Sequence, residues 1–182
     1  MISIAIFVET KFQIMEQQTS TWKAALKHGA ILSVALIILS IIMHLAGIAL
    51  ESWSGYLSWL VMIAYLVYAT KNFRDEHRGG YLKYGNGLGF GVLVSLIAAI
   101  VTSVYTILYV KLINPEFVNE VLNQSYDQML NRGMDDEQIQ TALGYQEQYM
   151  IPGMLIGVFF GTIFMGFIFS LIISAVFKRT EE

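Results

Sequence analysis

The sequence contains no cysteine, two prolines and three histidines among 182 residues. The absence of cysteine excludes disulfide bonds, thiolate catalysis, cysteine–zinc sites, iron–sulfur clusters and lipid attachment at cysteine. Charged residues are also few, since they make up 14% of the chain against about 25% in a soluble domain. Hydrophobic residues account for 55%. This composition excludes a disordered chain and predicts an integral membrane protein that contacts the lipid bilayer.

The sequence also lacks the usual signals of catalytic and cofactor sites. Its net charge of −3 argues against a nucleic-acid partner, which requires a concentrated basic surface. The glycines of Gly85–Gly91 alternate with other residues and do not fit the dinucleotide motif G-x-G-x-x-G. The sequence shows neither a nucleophile–base pair nor a cluster of metal ligands. We therefore expect no enzyme activity, no cofactor and no metal.

Four apolar runs predict helices that cross a bilayer, for which about 20 residues are needed. The runs comprise residues 29–50, 54–70, 87–113 and 151–177. The second run is the shortest of the four and falls below this length. The expected fold class is therefore all-α, a polytopic membrane protein with four transmembrane helices.

The basic residues predict the orientation of these helices. Nine of the 11 lie in the N-terminal segment 1–28, the loop 71–86 and the tail 178–182, whereas only Lys111 and Arg132 lie on the opposite side. Cytoplasmic segments hold the excess of Lys and Arg. We therefore expect both termini in the cytoplasm and residues 114–150 on the outer face of the plasma membrane.

The N-terminal segment predicts two further features. Residues 1–14 are expected to be an upstream extension, because the sequence from Met15 onward is typical of a natural beginning. Thr19, Ser20 and Thr21 offer an N-cap in front of Trp22, which predicts a short interfacial helix before the first span.

Residues 114–150 form the only sizeable region outside the predicted spans. Asn114 and Pro115 are typical of a helix start, Gly133 of its end and Asp135 of the cap of a second helix. Pro152 is expected to close the segment. The pattern predicts a helical hairpin, or two helices that extend or lie on the third and fourth spans.

This outer segment carries seven acidic side chains. We favour a solvated lid, kept out of the membrane by its carboxylates. The alternative is a docking surface for a partner, and cation binding is a weaker third interpretation. The candidate surface is the apolar stripe at helical spacing that includes Phe117, Val121, Leu122 and Met129.

Small residues recur four apart in the last two spans, a spacing that lets helix backbones approach closely in lipid. In the third span they include Gly87, Gly91 and Ser95, and in the fourth Gly153, Gly157 and Gly161. Gly166, Ser170 and Ser174 continue on a shifted face. Packing within one chain is favoured over a homodimer, because two stripes of small residues in the same chain can pack against each other.

A polar face on the first span is a third candidate for function. It includes Ser40, His44 and Glu51, and His44 is the only histidine inside a predicted span. An ionisable side chain inside a membrane is costly, and its presence therefore suggests a functional role. A proton-linked site is one interpretation, and a structural hydrogen bond to a tyrosine such as Tyr65 or Tyr105 is the other.

Three sequence blocks carry a resemblance to a known family. They are KNFRDEHRGGYLKYGNGLGFG at residues 71–91, NPEFVNEVL at 114–122 and DDEQI at 135–139. Together they resemble the bacterial membrane proteins labelled domain of unknown function 4199, and the likeness runs from about Thr21 to Lys178. Phe73–Tyr81 is its clearest motif. The resemblance implies a four-helix protein of the bacterial inner membrane and brings no activity, cofactor or catalytic residue; the residues before Met15 depart from it.

We therefore expect a non-enzymatic envelope component that packs with itself, as a homo-oligomer, or with a membrane partner. The alternative is a small transporter or channel subunit with a polar pathway through His44 and Glu51.

Overall fold

The computed structural model describes residues 2–51 and 53–179, with side chains from residue 21 onward, and its regular elements are helices. They are α1 (Ile2–Leu45), α2 (Ser54–His77), α3 (Tyr84–Leu108), α4 (Phe117–Asn131) and α5 (Asp136–Phe177). A π-helical turn, Tyr109–Ile113, continues α3. The predicted all-α class is confirmed for the described residues.

Three helical stretches are long and apolar enough to cross a membrane. They are Thr21–Leu45, Tyr84–Ile113 and Asp136–Phe177, with mean hydropathies of 2.2, 2.3 and 2.4. The predicted second span is also helical, but α2 is not among these three stretches. Three tyrosines and two serines within residues 54–70 lower its hydropathy. The chain therefore has the composition and helix lengths of a helical membrane protein.

The beginning and end of α1 differ from the prediction. No separate interfacial helix precedes the first span, because α1 continues through Thr19–Thr21. The hydroxyl of Thr21 accepts a hydrogen bond from Arg78 Nη2 at 2.9 Å instead of capping a helix. The helix ends at Leu45 rather than at Leu50, since Gly47 takes a positive φ of 71° and turns the chain.

The predicted loop 71–86 is much shorter in the structure. Helix α2 continues through its polar residues to His77, and α3 already begins at Tyr84. The helix stops where two glycines follow each other, because Gly79 and Gly80 have φ values of 60° and 88°. Such left-handed conformations are open to glycine at little cost.

The predicted outer segment, residues 114–150, divides as expected at its centre but not at its end. Helix α4 ends at Asn131, before Gly133 with φ 79°, and the Asp135 carboxylate accepts a hydrogen bond from the Gln138 amide at 2.8 Å. Pro152, however, lies inside α5 and does not close a segment. Helix α5 thus extends the fourth apolar run, residues 151–177, back to Asp136, which agrees with one of the two predicted arrangements. A proline within an apolar helix removes one hydrogen bond, but the remaining bonds hold the helix together.

The helices alternate in direction. In the interface of α3 and α5, Gly87, Gly91 and Ser95 lie against Ser174, Ser170 and Gly166 respectively. Rising residue numbers in one helix thus meet falling numbers in the other, so the two are antiparallel. Helix α1 runs parallel to α3, because Gly29 approaches Ile97 while His44 contacts Tyr109. We call the two ends of the bundle the Arg78 end and the α4 end.

The apolar core fills the half of the bundle nearer the Arg78 end. Its fully buried side chains come from α1, α2, α3 and the segment that joins the last two, and they include Leu32, Leu66, Phe73, Leu82, Phe90 and Val94. The rings of Phe73 and Phe90 are stacked at 4.1 Å between centroids. The other half of the bundle is less tightly filled, and the cavities described below lie there.

Candidate functional site

Two adjoining cavities lie between α1, α3 and α5 in the half of the bundle nearer the α4 end, and α2 adds to the wall of the first. The first, which we call the Trp59 lobe, has a volume of about 440 Å³ and extends between Leu36, Met62 and Met165. The second, the His44 lobe, has a volume of about 420 Å³ and extends toward Phe117. Both have volumes within the usual range of small-molecule sites, about 300–1,000 Å³. The lobes share a boundary formed by Ser40, Tyr105, Thr106, Gly157 and Val158.

The structure separates the three residues of the predicted polar face. Ser40 lines both lobes, and His44, one turn further along α1, lines the second. The His44 ring meets the ring of Tyr109 edge-on, with 5.5 Å between centroids. Glu51, in contrast, is exposed in the turn after α1 and is not a lining residue of either lobe. Because α1 ends at Leu45, Glu51 does not continue the helical face of Ser40 and His44.

The lining of the two lobes carries no Asp, Glu, Lys or Arg among the described residues. Its polar groups differ in their hydrogen bonding. The hydroxyls of Thr102 and Thr106 donate to the carbonyls of Ala98 and Thr102, at 2.8 and 2.9 Å. The side chains of five other lining residues make no hydrogen bond to any described residue; they are Ser40, His44, Ser58, Tyr105 and Thr162. The lobes are thus mainly apolar, with a few polar groups that lack protein partners.

The two ends of the cavity differ. Toward the Arg78 end the buried side chains of Leu32, Leu66 and Val94 fill the space between the helices. Toward the α4 end Phe117 lines the His44 lobe, and its ring contacts Tyr109 at 5.5 Å. The cavity is therefore confined to one half of the bundle.

The candidate partner surface on α4 is partly covered by the chain itself. Phe117, Val121, Leu122 and Met129 are all half-buried. Two hydrogen bonds hold α4 in place, from Gln124 Nε2 to the Leu50 carbonyl at 3.2 Å and from Gln146 Nε2 to Ser125 Oγ at 2.8 Å. Helix α4 thus covers the cavity end of the bundle and is not a free amphipathic helix.

The predicted small-residue positions fall into two groups. Those of α3 lie in the interface with α5, where a Cβ atom on Gly91 would collide with Ser170 and one on Gly87 would lie 2.9 Å from Ser174 Oγ. In α5, however, it is Gly166, Ser170 and Ser174 that meet α3. No described atom lies within 4 Å of a Cβ atom placed on Gly153, Gly157 or Gly161. These three glycines therefore do not pair with the α3 stripe, and Gly157 and Gly161 line the cavity instead.

The sequence analysis did not predict a buried hydrogen-bond network around His28. His28 Nε2 lies 3.1 Å from Asn72 Oδ1, and its Nδ1 lies 3.0 Å from the Tyr65 hydroxyl. Asn72 Nδ2 in turn donates to Glu76 Oε1 at 2.6 Å. His28 stood one residue before the predicted first span. The signal that could have found it is its place within an apolar face that begins at Ala24 and Ala25.

The Phe73–Tyr81 motif joins three parts of the chain at the Arg78 end. Phe73 lies in the core, and the Arg78 guanidinium lies 5.3 Å from its ring centroid while donating to Thr21 of α1. Arg74 lies 5.5 Å from the centroid of the Phe177 ring of α5. Arg74 Nε also donates to Asp75 Oδ1 at 2.7 Å, and this hydrogen bond lowers the pKa of the Asp75 carboxyl. The motif thus has a structural role.

Comparison with known proteins gives one match. The model of a family described as "Protein of unknown function (DUF4199)" matches residues 27–179. No curated protein matches the chain, and no solved structure does. The matched range includes α2, α3, α4 and both lobes of the cavity, as well as the Phe73–Tyr81 motif. The resemblance noted in the sequence is confirmed, and the chain belongs to this family of proteins of unknown function.

Proposed function

We propose that the chain is a four-span protein of the bacterial inner membrane with both termini in the cytoplasm. Helix α2 is the span that the hydropathy of the helices leaves open. Its 24 residues correspond to about 36 Å of helix, which is long enough to cross the bilayer core. It reaches from Ser54, whose hydroxyl donates to the Ala49 carbonyl at the α4 end, to His77 at the Arg78 end. The orientation is supported by basic residues clustered at the Arg78 end, namely Lys71, Arg74, Arg78, Lys83, Lys178 and Arg179.

We further propose that this protein is a non-enzymatic binding component whose partner is a neutral, apolar constituent of the membrane. The observation that carries the proposal is the uncharged cavity, half enclosed by four helices in the outer half of the bundle. Apolar walls with a few convergent polar groups are typical of sites for small molecules. A charged ligand would leave its charge without a counter-ion in a region of low dielectric, at a cost of several kcal/mol.

The size of the cavity favours a small molecule over a partner helix. A helix with side chains is about 10 Å wide, so a volume of about 440 Å³ would hold only about 6 Å of its length. A hydrocarbon chain is much thinner and fits both lobes in sequence. Association with a second copy or with a membrane protein remains a prediction from the open positions of Gly153, Gly157 and Gly161.

The transporter alternative receives less support from the geometry. Ser40 and His44 line the cavity, as a polar pathway requires. The pathway would have to continue toward the Arg78 end, where Leu32, Leu66 and Val94 are fully buried and fill the space. Glu51 lies away from the lining. This geometry favours a binding site that opens at one end of the bundle over a pathway through it.

Tryptophan fluorescence tests the proposed binding. Trp59 lines the cavity, so a W22F/W53F variant leaves it as the reporter. Titration of this protein in detergent micelles with 9,10-dibromooctadecane, whose bromines quench tryptophan on contact, should show a saturable component. Leucine at Gly157, which lines both lobes, should remove that component. Leucine at Gly153, four residues away and outside the lining, should leave it unchanged. Quenching without saturation in the Trp59 reporter would overturn the proposal.

A further inference from the structure

His44 differs from the serine and threonine hydroxyls that line the cavity, and the buried hydroxyl of Tyr105 shares its lack of a partner. Serine and threonine hydroxyls inside helices can donate to the carbonyl one turn earlier, as Thr102 and Thr106 do. An imidazole cannot satisfy its ring N–H in this way. His44 makes no hydrogen bond to any described residue, and its contact with Tyr109 is between ring faces and edges. A polar group within lipid that lacks a partner is costly, so His44 needs an acceptor from elsewhere.

The surroundings of His44 restrict the chemistry of that acceptor. A neutral imidazole offers one N–H donor, and Ser40, one helical turn away on the same face of α1, offers a hydroxyl. The described lining contains no lysine or arginine, which phosphate recognition in proteins normally uses. A carboxylate would be equally unpaired. The acceptor that fits is an uncharged oxygen, such as a carbonyl.

Resting on the proposed function, we propose that the ligand is a neutral amphiphile with an ester or ketone carbonyl. The carbonyl oxygen accepts a hydrogen bond from His44, with Ser40 beside it, and the hydrocarbon chain occupies the Trp59 lobe. This orientation agrees with the depth of the two lobes, because the His44 lobe lies nearer the end of the bundle. The polar end of an amphiphile then stays close to the membrane surface.

The experiment compares two probes that share a dibrominated C18 chain and differ in the methyl ester at one end. Methyl 9,10-dibromostearate carries an ester, and 9,10-dibromooctadecane carries none. In the W22F/W53F protein the ester should bind about three- to tenfold more tightly, as one neutral hydrogen bond allows. His44→Phe should abolish this preference, so that the two probes bind this variant with equal affinity. His77→Phe is the matched control, since His77 is exposed at the Arg78 end, and it should preserve the preference.

The possible results separate this inference from the proposed function. Saturable quenching with equal affinity for the two probes would overturn the carbonyl contact and leave the apolar binding site intact. A preference for the ester that persists in His44→Phe would also overturn the role of His44. The absence of saturable quenching by either probe would overturn the binding site itself. Mass spectrometry of the lipids that co-purify with the wild type, but not with Gly157→Leu, then identifies the ligand. It distinguishes a glycerolipid ester from a quinone.

Discussion

His28 Nε2 lies 3.1 Å from Asn72 Oδ1, and this hydrogen bond joins α1 to α2 inside the bundle. Because the asparagine oxygen can only accept, Nε2 carries a proton and donates. In the neutral ring the Tyr65 hydroxyl then donates to Nδ1 at 3.0 Å. Both ring nitrogens of a side chain with 2% exposure are thereby satisfied.

Asn72→Ala is expected to destabilise the protein, because it leaves the buried N–H of His28 without an acceptor. An unsatisfied buried donor costs about 1–3 kcal/mol. Glu76→Gln serves as the control, since Glu76 is exposed and an amide oxygen can still accept from Asn72. Thermal unfolding of the purified proteins in detergent, followed by circular dichroism, measures both effects. Equal stability of Asn72→Ala and the wild type would contradict the structural role of the network.

Hydrophobic runs sufficed to predict the helical class but not the helix ends. A run shows where apolar residues stop, whereas a helix continues through polar residues as long as the backbone allows. Helix α2 therefore extends to His77 and α5 begins at Asp136, well outside their runs. The glycines with positive φ, Gly47, Gly79 and Gly133, mark the observed ends better.

The α3–α5 interface yields a second prediction. A Cβ atom on Gly166 would collide with Ser95, whose hydroxyl donates to the Gly91 carbonyl at 2.9 Å. Gly166→Ala should therefore destabilise the protein by about 1–3 kcal/mol, as overpacking commonly does. Gly153→Ala in the same helix has no described neighbour and should be neutral or slightly stabilising, because alanine favours helix over glycine. The same unfolding measurement compares the two variants, and equal effects would argue against this interface.

The spacing of small residues could predict that a face approaches another helix, but not which helix. Three stripes at a spacing of four were present, and the sequence alone allowed Gly87 to pair with either stripe of α5. The pairing follows from the antiparallel register, in which Gly87 meets Ser174. The cavity beside Gly157 and Gly161 could not be predicted either, because the sequence does not show which helices face these glycines. It depends on how far α2 and α5 lie apart.

The Phe73–Phe90 stack is the basis of a third prediction. Phe73 is fully buried, with its ring parallel to that of Phe90 at 4.1 Å. Its truncation to alanine should cost about 3–5 kcal/mol, as for other buried aromatic residues. Phe164→Ala is the control, because Phe164 is 62% exposed on α5. Loss of yield and of thermal stability should be confined to Phe73→Ala, and similar losses in both variants would contradict a core at this end.

Single cysteines test the proposed topology without interference, because the chain contains none of its own. Cysteine at Glu51 or Arg132 should react in intact cells with a membrane-impermeant maleimide, whereas cysteine at Lys83 should react only after the cells are lysed. All three positions are exposed in the structure, so accessibility to the reagent depends on the side of the membrane. The pair Glu51 and Lys83 decides whether α2 crosses the bilayer, since these residues flank it. Labelling of both positions from the same side would contradict the fourth span, while Arg132 reports independently on the location of α4.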